Sequence, residues 1–263
     1  MLIYTLPIPS PLTIVAEPLT PTAFAPFGAV LTNPAPETRP PAPASALPSG
    51  YGAVSANQGT AIQYRALAPP LKNLYEQARS RKPASPRTTM FVCGARQLVP
   101  DDQSSGNGGD GLFEVKILER HPFTTQTFVP LGASAETRYL VIVAPSRAPS
   151  AADEDFPVPE GGSLPGRGLP DLRGLRAFVA TGAQAVTYGA GTWHAPMAAL
   201  GPAGSAIDFV VMQFANDEPV EDCQEVALEG VDGGRKGGQG QGQGDVPRIM
   251  VRVPPGKKRA SKL

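Results

Sequence analysis

The spacing of the apolar, strand-like runs constrains the fold of this chain most strongly. The runs are short, and the links between them are rich in the chain's 31 prolines and 29 glycines. The strongest runs cover residues 112–121, 123–131, 138–144, 177–188 and 206–214. Because little helical pattern separates them, we predict a mainly β fold, an antiparallel sandwich or barrel.

A few short helices are expected between the strands. Glu17 to Leu31 is predicted to form a short strand, a brief helix near residues 21–24 and another strand. Residues 67–82 carry apolar side chains at the i, i+3, i+4 spacing of a helix and are followed by Pro83, so they are predicted to be helical.

The composition indicates one domain with insertions and a tail. Residues 1–229 are predicted to form a single catalytic domain, with Pro/Gly-rich insertions near 33–50, 101–111 and 145–170. Residues 230–263 are predicted to be a flexible Gly-rich tail, since their glycine and glutamine content is typical of a tether.

Several classes of partner are not expected. The formal net charge is zero and only 17% of residues are charged, which argues against nucleic-acid binding. No apolar run approaches the roughly 20 residues of a membrane helix. The two cysteines cannot support a disulfide framework.

The chain ends in Ser261-Lys262-Leu263. A terminal Ser-Lys-Leu is an address read by the peroxisomal import receptor. We therefore expect a peroxisomal protein that binds this receptor, with the cytoplasm as the alternative location.

Only two histidines occur in the chain, and each follows a strand-like run close to a proline. His121 precedes Pro122, and His194 lies two residues before Pro196. The period of two in a strand places Glu119 on the same face as His121. Because histidine is a common acid, base and metal ligand, a shared site is one hypothesis. Two unrelated, hydrogen-bonded histidines are the other.

Two motifs around these histidines resemble those of cupins. Glu119-x-His121-x4-Gln126 is similar to the first cupin motif, with Glu for the first His and Gln for the usual Glu. Gly189-x-Gly191-x-x-His194 is similar to the second, with Gly for Pro. The resemblance implies a cupin-like (RmlC-like) antiparallel β-barrel or jelly roll.

A longer stretch resembles the ureidoglycolate lyases, cupin-like enzymes of allantoin breakdown. The similar segments are Leu19 to Gly28, Leu118 to Leu131, Pro170 to Phe178, Trp193-His194-x-Pro196, Asp208-Phe209 and Asp222-Cys223. The resemblance implies a homodimeric carbon–nitrogen lyase that converts ureidoglycolate to glyoxylate and urea. Two departures are Ala195, where some relatives have a second histidine, and the long insertions.

The reaction suggests roles for particular side chains. It needs one general base and one general acid, and His121, His194 and Glu119 are the candidates, with Gln126 able to bind the ureido group. For substrate binding, Trp193 is either a pocket wall or plain core. The substrate carboxylate would suit an arginine, and the candidates are Arg96 and Arg65.

The need for a metal stays open at this point. Glu119, His121, Gln126 and His194 form an oxygen and nitrogen set that suits nickel, manganese or iron better than structural zinc. A metal-free site is the alternative, since glutamine is a poor ligand. The competing functions are a metal-dependent cupin oxygenase or isomerase, and a cupin that binds a small molecule without catalysis.

Overall fold

The computed structural model describes residues 1–101, 111–231 and 246–256, and within these ranges the fold is mainly β. The first nine strands are β1 (Leu2–Ile8), β2 (Leu12–Val15), β3 (Glu17–Pro18), β4 (Gly28–Leu31), β5 (Ala53–Ala56), β6 (Ala61–Tyr64), β7 (Ser85–Gly94), β8 (Gly111–Glu114) and β9 (Ile117–Arg120). The others are β10 (Gln126–Leu131), β11 (Arg138–Ala144), β12 (Arg176–Thr181), β13 (Ala185–Tyr188), β14 (Trp193–His194), β15 (Ala198–Leu200), β16 (Ala206–Ala215), β17 (Gln224–Gly230) and β18 (Ile249–Val253). The α-helices are α1 (Pro21–Phe24) and α2 (Pro219–Asp222).

The strands form three layers. An eight-stranded central sheet has the order β1-β17-β9-β14-β11-β12-β3, with β15 also on β11. The five-stranded front sheet has the order β4-β13-β10-β16-β7, and the three-stranded back sheet has the order β2-β18-β8. A separate hairpin joins β5 to β6.

The central sheet is buried on both faces, as β11 shows. Leu140 and Ile142 pack into a core shared with the back sheet, whereas Val141 and Val143 pack into a core shared with the front sheet. We call the second of these the inner core. Two sheets facing each other across an aliphatic and aromatic interior confirm the predicted cupin-like β fold.

Most strand pairs in the described ranges are antiparallel, as predicted, but three are parallel. The pairs β1–β17, β3–β12 and β2–β18 are parallel. Each joins a strand from the first 18 residues to one much later in the chain. Long connections of this kind permit parallel pairing, which a short hairpin does not.

Two of the predicted strands are each divided in two. The run 112–121 forms β8 in the back sheet and β9 in the central sheet, because Val115 bonds to Ile249 while Lys116 accepts from Leu228. The run 177–188 is interrupted by a turn closed by a bond from Gln184 N–H to the carbonyl of Thr181. In both places the two halves of the run join different sheets, and the apolar pattern alone did not show this break.

The predicted helix over residues 67–82 is wrong. The segment contains only a 3-10 turn at Tyr75–Gln77. The N–H of Leu74 donates to the carbonyl of Phe123, and the Tyr75 ring packs 5.5 Å from the Phe123 ring. These tertiary contacts outweigh the helical spacing. The segments predicted near residues 21–24, by contrast, are confirmed by α1 and its flanking strands.

The prediction of a flexible tail from residue 230 onward is wrong for residues 249–253. They form β18, which lies between β2 and β8. Ile249, Val251 and Val253 are each at most 1% exposed, and their alternation is the ordinary signal of a strand. Residues 232–245 and 257–263, including Ser261, Lys262 and Leu263, lie outside the described residues, as do 102–110 of the second insertion.

The third insertion, residues 145–170, is fastened to the central sheet by Arg120. This side chain is fully buried and donates to the three carbonyls of residues 166–168 and to the Gln224 side chain. Its guanidinium also lies 4.4 Å from the Trp193 ring centroid. Burial lowers the pKa of Arg120 to about 9, and the four acceptors compensate for the lost hydration.

Membrane-spanning helices are not found: within the described ranges, none of the helices has the length and apolar character that crossing a bilayer demands.

Candidate active site

The central and front sheets bring the predicted catalytic residues to one end of the inner core. Glu119 in β9 lies directly opposite His194 in β14, and His121 follows β9 immediately. Gln126 begins β10 in the facing sheet. The two histidines therefore lie together, as a shared site requires, with the His121 and His194 ring centroids 5.6 Å apart.

Backbone carbonyls fix both imidazoles. His121 Nδ1 lies 2.6 Å from the carbonyl oxygen of Asp222, and His194 Nδ1 lies 2.9 Å from that of Thr192. A carbonyl only accepts, so each Nδ1 carries the proton and donates it. When the ring is neutral, its Nε2 presents a lone pair. Both Nε2 atoms are buried and have no hydrogen-bond partner within the described parts of the chain.

Glu119 is the acidic member of the site. Its Oε1 lies 3.5 Å from His194 Nε2. Burial favours the neutral acid, but the contact with His194 outweighs it, so the pKa of Glu119 is lowered. A carboxylate facing an imidazole lone pair is repulsive. A proton or a cation between these two atoms is therefore required.

His121 resists protonation. Burial, followed by the neighbouring His194, lowers the pKa of His121 to about 4. The ring is therefore neutral near pH 7, and its Nε2 lone pair is available as a base or a ligand.

Tyr188 supports the histidine pair and was not among the predicted residues. Its ring stacks on His194 at a centroid distance of 3.9 Å and an interplanar angle of 13°. The hydroxyl is buried and no described residue bonds to it, and burial raises the pKa of Tyr188 well above its usual value. Its signal in the sequence was slight: an aromatic residue at the end of a strand, directly before Gly189.

The front sheet contributes a row of side chains that we call the amide row. Tyr188 lies opposite Gln126, and Gln213 lies opposite Arg87. Gln126 Nε2 donates to Gln213 Oε1 over 2.7 Å and so joins the two pairs, and the Gln126 Oε1 is buried with no partner among the described residues. Gln213 was also missed. Its signal was a polar residue continuing the buried alternation of Phe209 and Val211.

The three residues predicted to bind substrate lie elsewhere. Trp193 is fully buried in the core behind the central sheet, and its indole N–H donates to Gly168. Adjacent strand residues point to opposite faces, so Trp193 turns away as His194 turns in. Arg96 lies over the Phe113 ring of the back sheet. Arg65 is exposed beyond the β5–β6 hairpin. The structure thus supports the plain-core reading of Trp193 and gives neither arginine a place in the site.

A cavity of about 570 Å³ lies beside the site, not at it. Its lining includes Lys72, Thr125, Ser146, Thr187 and Thr192 but no histidine or carboxylate. Because acid–base or metal chemistry needs such groups, we assign the site to the histidine pair.

The donor set fits a divalent metal. The ligand atoms of Glu119, His121 and His194 lie within 4.8 Å of one another. Each histidine donates its Nδ1–H to a carbonyl, which is the usual support for an imidazole that binds metal through Nε2. The two unpartnered Nε2 atoms support the same conclusion. Gln126, included in the predicted metal set, has its unpartnered Oε1 on the facing sheet.

A cupin-like sandwich with two histidines and a carboxylate converging at one end of its interior defines a cupin-type enzyme. The comparisons specify the family. A sequence profile of the family described as Ureidoglycolate lyase matches residues 11–231, and the chain belongs to this family.

Named relatives occur in fungi and bacteria. The ureidoglycolate lyase of Schizosaccharomyces pombe is 34% identical over 217 residues, covering 82% of this chain and 92% of the relative. That of Saccharomyces cerevisiae is 35% identical over 217 residues, covering 81% and 93%. That of Burkholderia mallei is 32% identical over 205 residues, covering 78% and 84%.

Proposed function

We propose that this chain acts as a ureidoglycolate lyase, eliminating urea from ureidoglycolate to give glyoxylate. One observation carries the proposal beyond family membership: two imidazole Nε2 atoms and one carboxylate converge in a buried site. This is a sufficient set for moving a proton off one substrate atom and onto another.

The chemistry requires two proton transfers. The substrate carbon carries both a hydroxyl group and the ureido nitrogen. When the hydroxyl loses its proton, the oxygen electrons form the glyoxylate carbonyl. The C–N bond breaks, and its electron pair stays on the nitrogen, which takes up a proton and leaves as urea. A positioned base and a positioned acid each contribute roughly 10²–10⁴-fold to such a reaction.

The geometry favours one assignment of these roles in the absence of a metal. His121 stays neutral near pH 7 and offers its Nε2 lone pair, so it is the base that takes the hydroxyl proton. His194 and Glu119 face each other at 3.5 Å and need a proton between them. That proton is the one given to the leaving nitrogen.

The same three residues are suited to a metal such as nickel or manganese. Glu119, His121 and His194 would hold it, and when bound it would supply Lewis-acid polarisation of the substrate hydroxyl. The carbonyls of Asp222 and Thr192 would then orient the two ligand rings.

Product analysis with and without a chelator tests both parts of the proposal. We expect purified protein to release urea and glyoxylate in equal amounts from ureidoglycolate. Activity that is lost with chelator and restored by nickel or manganese establishes the metal, and undiminished activity establishes the metal-free route. Ammonia as the direct nitrogen product would indicate a hydrolase. Oxygen consumption would indicate the alternative cupin oxygenase, and binding without turnover a non-catalytic cupin.

We also propose that the protein forms a homodimer through the front sheet. β7 is the outermost strand of this sheet, and Met90 and Val92 on its solvent side are 55% and 68% exposed. Leu131 on the same side is 54% exposed. An exposed strand edge beside apolar side chains is an association surface. Peroxisomal import through Ser261-Lys262-Leu263 stays a proposal as well.

A further inference from the structure

We infer that Gln213, with Gln126, forms the part of the site that recognises the ureido group. This inference rests on the proposed function and deepens it, because it names a specificity residue for the leaving urea. It begins from a buried acceptor on the front sheet side of the site, the Oε1 atom of Gln126, which lacks a partner among the described residues.

The position of Gln126 places its amide near the histidines. Gln126 is 4% exposed and lies directly opposite Tyr188 in the strand ladder. Side chains of opposite residues point to the same face of a sheet. Since the Tyr188 ring stacks on His194, the Gln126 amide lies beside the reacting end of the site.

A buried acceptor without a partner is costly. The matching ligand group is therefore a hydrogen-bond donor. The ureido group of the substrate carries such donors, whereas its carboxylate only accepts. Of the two ends of ureidoglycolate, the ureido end is the one that satisfies Gln126.

Gln213 determines which end of the Gln126 amide faces the substrate. Its Oε1 accepts from Gln126 Nε2 at 2.7 Å, which holds the nitrogen away from the site and leaves the oxygen toward it. With its oxygen engaged in this way, Gln213 has its own Nε2–H groups to offer. A urea carbonyl is the acceptor they suit. The two amides thus present one acceptor and one donor, the complement of a urea.

The end of the amide row marks where this subsite meets solvent. Arg87 lies opposite Gln213 in β7, has 38% of its side chain exposed, and pairs with the exposed Asp217. The amide row therefore runs from the buried histidines toward solvent. The glutamine pair lies between the histidines and the exposed end of the row.

Two unreactive ligands separate recognition from catalysis. Hydantoate, or N-carbamoylglycine, is the substrate without its reacting hydroxyl, and N-acetylglycine replaces its terminal NH₂ with a methyl group. We expect the wild-type protein to bind hydantoate at least about tenfold more tightly in calorimetry, because a site built to bond an N–H rejects the analogue that lacks it.

Substitutions at Gln213 then distinguish its two contributions. Gln213→Met frees the Gln126 amide, so the preference for hydantoate should fall below about threefold, and KM for ureidoglycolate should rise more than kcat falls. Gln213→Glu still accepts from Gln126 but donates nothing, so it should weaken both ligands while keeping the preference. Met212→Leu, on the same strand with its side chain on the other face, is the matched control and should change neither.

The outcomes separate this inference from the proposed function. A Gln213→Met protein that folds normally by circular dichroism and keeps the wild-type preference overturns the inference, as does a wild-type protein without the preference. A wild-type protein that prefers hydantoate but releases no urea from ureidoglycolate would refute the proposed function and leave the subsite standing.

Discussion

His121 and His194 differ in surroundings although both are held in the same way. Each donates Nδ1–H to a backbone carbonyl, but only His194 faces a carboxylate across 3.5 Å. The two imidazoles therefore differ in what faces their Nε2 atoms.

Removing either imidazole should abolish most of the activity. We expect His121→Ala and His194→Ala each to lower kcat/KM for ureidoglycolate by roughly 10²–10⁴-fold, the usual contribution of a positioned acid or base. Glyoxylate release followed in a coupled assay measures this. Thermal melts control for misfolding, and wild-type rates from both folded variants would remove these residues from the mechanism.

At this scale, the sequence predicted which candidate acid–base residues lie together better than it predicted the candidates for substrate binding. Glu119, His121, Gln126 and His194 could be found because their types and spacing match known motifs. Tyr188 and Gln213 could not, since stacking and amide pairing depend on strand register across the front sheet. The arginine candidates failed for the same reason: residue type indicates what can bind a carboxylate but not which face it lies on.

Among the elements, β18 shows both the use and the limit of predicting strands from the spacing of apolar residues. This five-residue strand follows a glycine-rich stretch, and every second residue in it is buried: Ile249, Val251 and Val253. The surrounding composition concealed it. Strands β4, β10, β11 and β16 were predictable because their own runs are long or well bounded, whereas the breaks inside 112–121 and 177–188 depend on which sheet each half joins.

Truncation distinguishes the strand from the tail. A chain ending at residue 256 should unfold with nearly the wild-type free energy. A chain ending at residue 231 loses three buried side chains, each contributing about 1.5–3 kcal/mol, and exposes the edges of β2 and β8. Chemical denaturation measures both. Equal stability of the two truncations would show that β18 contributes nothing to the fold.

For the whole molecule, association should depend on the solvent side of β7. Val92→Lys places a charge at a 68% exposed apolar position, so we expect it to leave the fold intact and convert a dimer to a monomer in sedimentation equilibrium. Lys116→Ala changes an exposed residue in the link between β8 and β9 and serves as the control. A dimer that persists in Val92→Lys would move the interface elsewhere.

Cellular location is a separate property of the whole chain. Where Leu263 carries the free terminal carboxylate, the Ser-Lys-Leu signal should direct a fluorescent protein fused ahead of residue 1 to peroxisomes. Deleting residues 261–263 should leave that fusion in the cytosol. Peroxisomal fluorescence that survives the deletion would assign the address to another segment.

Arg120 has a consequence for how this fold can be altered. It occupies the one position between Glu119 and His121, yet its guanidinium is committed to residues 166–168. The third insertion therefore cannot be deleted as a whole without affecting Arg120. A shortened variant of the protein could lack part of residues 147–160. It must keep the three carbonyls that accept from Arg120, or Arg120 must be substituted as well. Otherwise a buried cation loses its acceptors inside the tripeptide that holds two of the proposed catalytic residues.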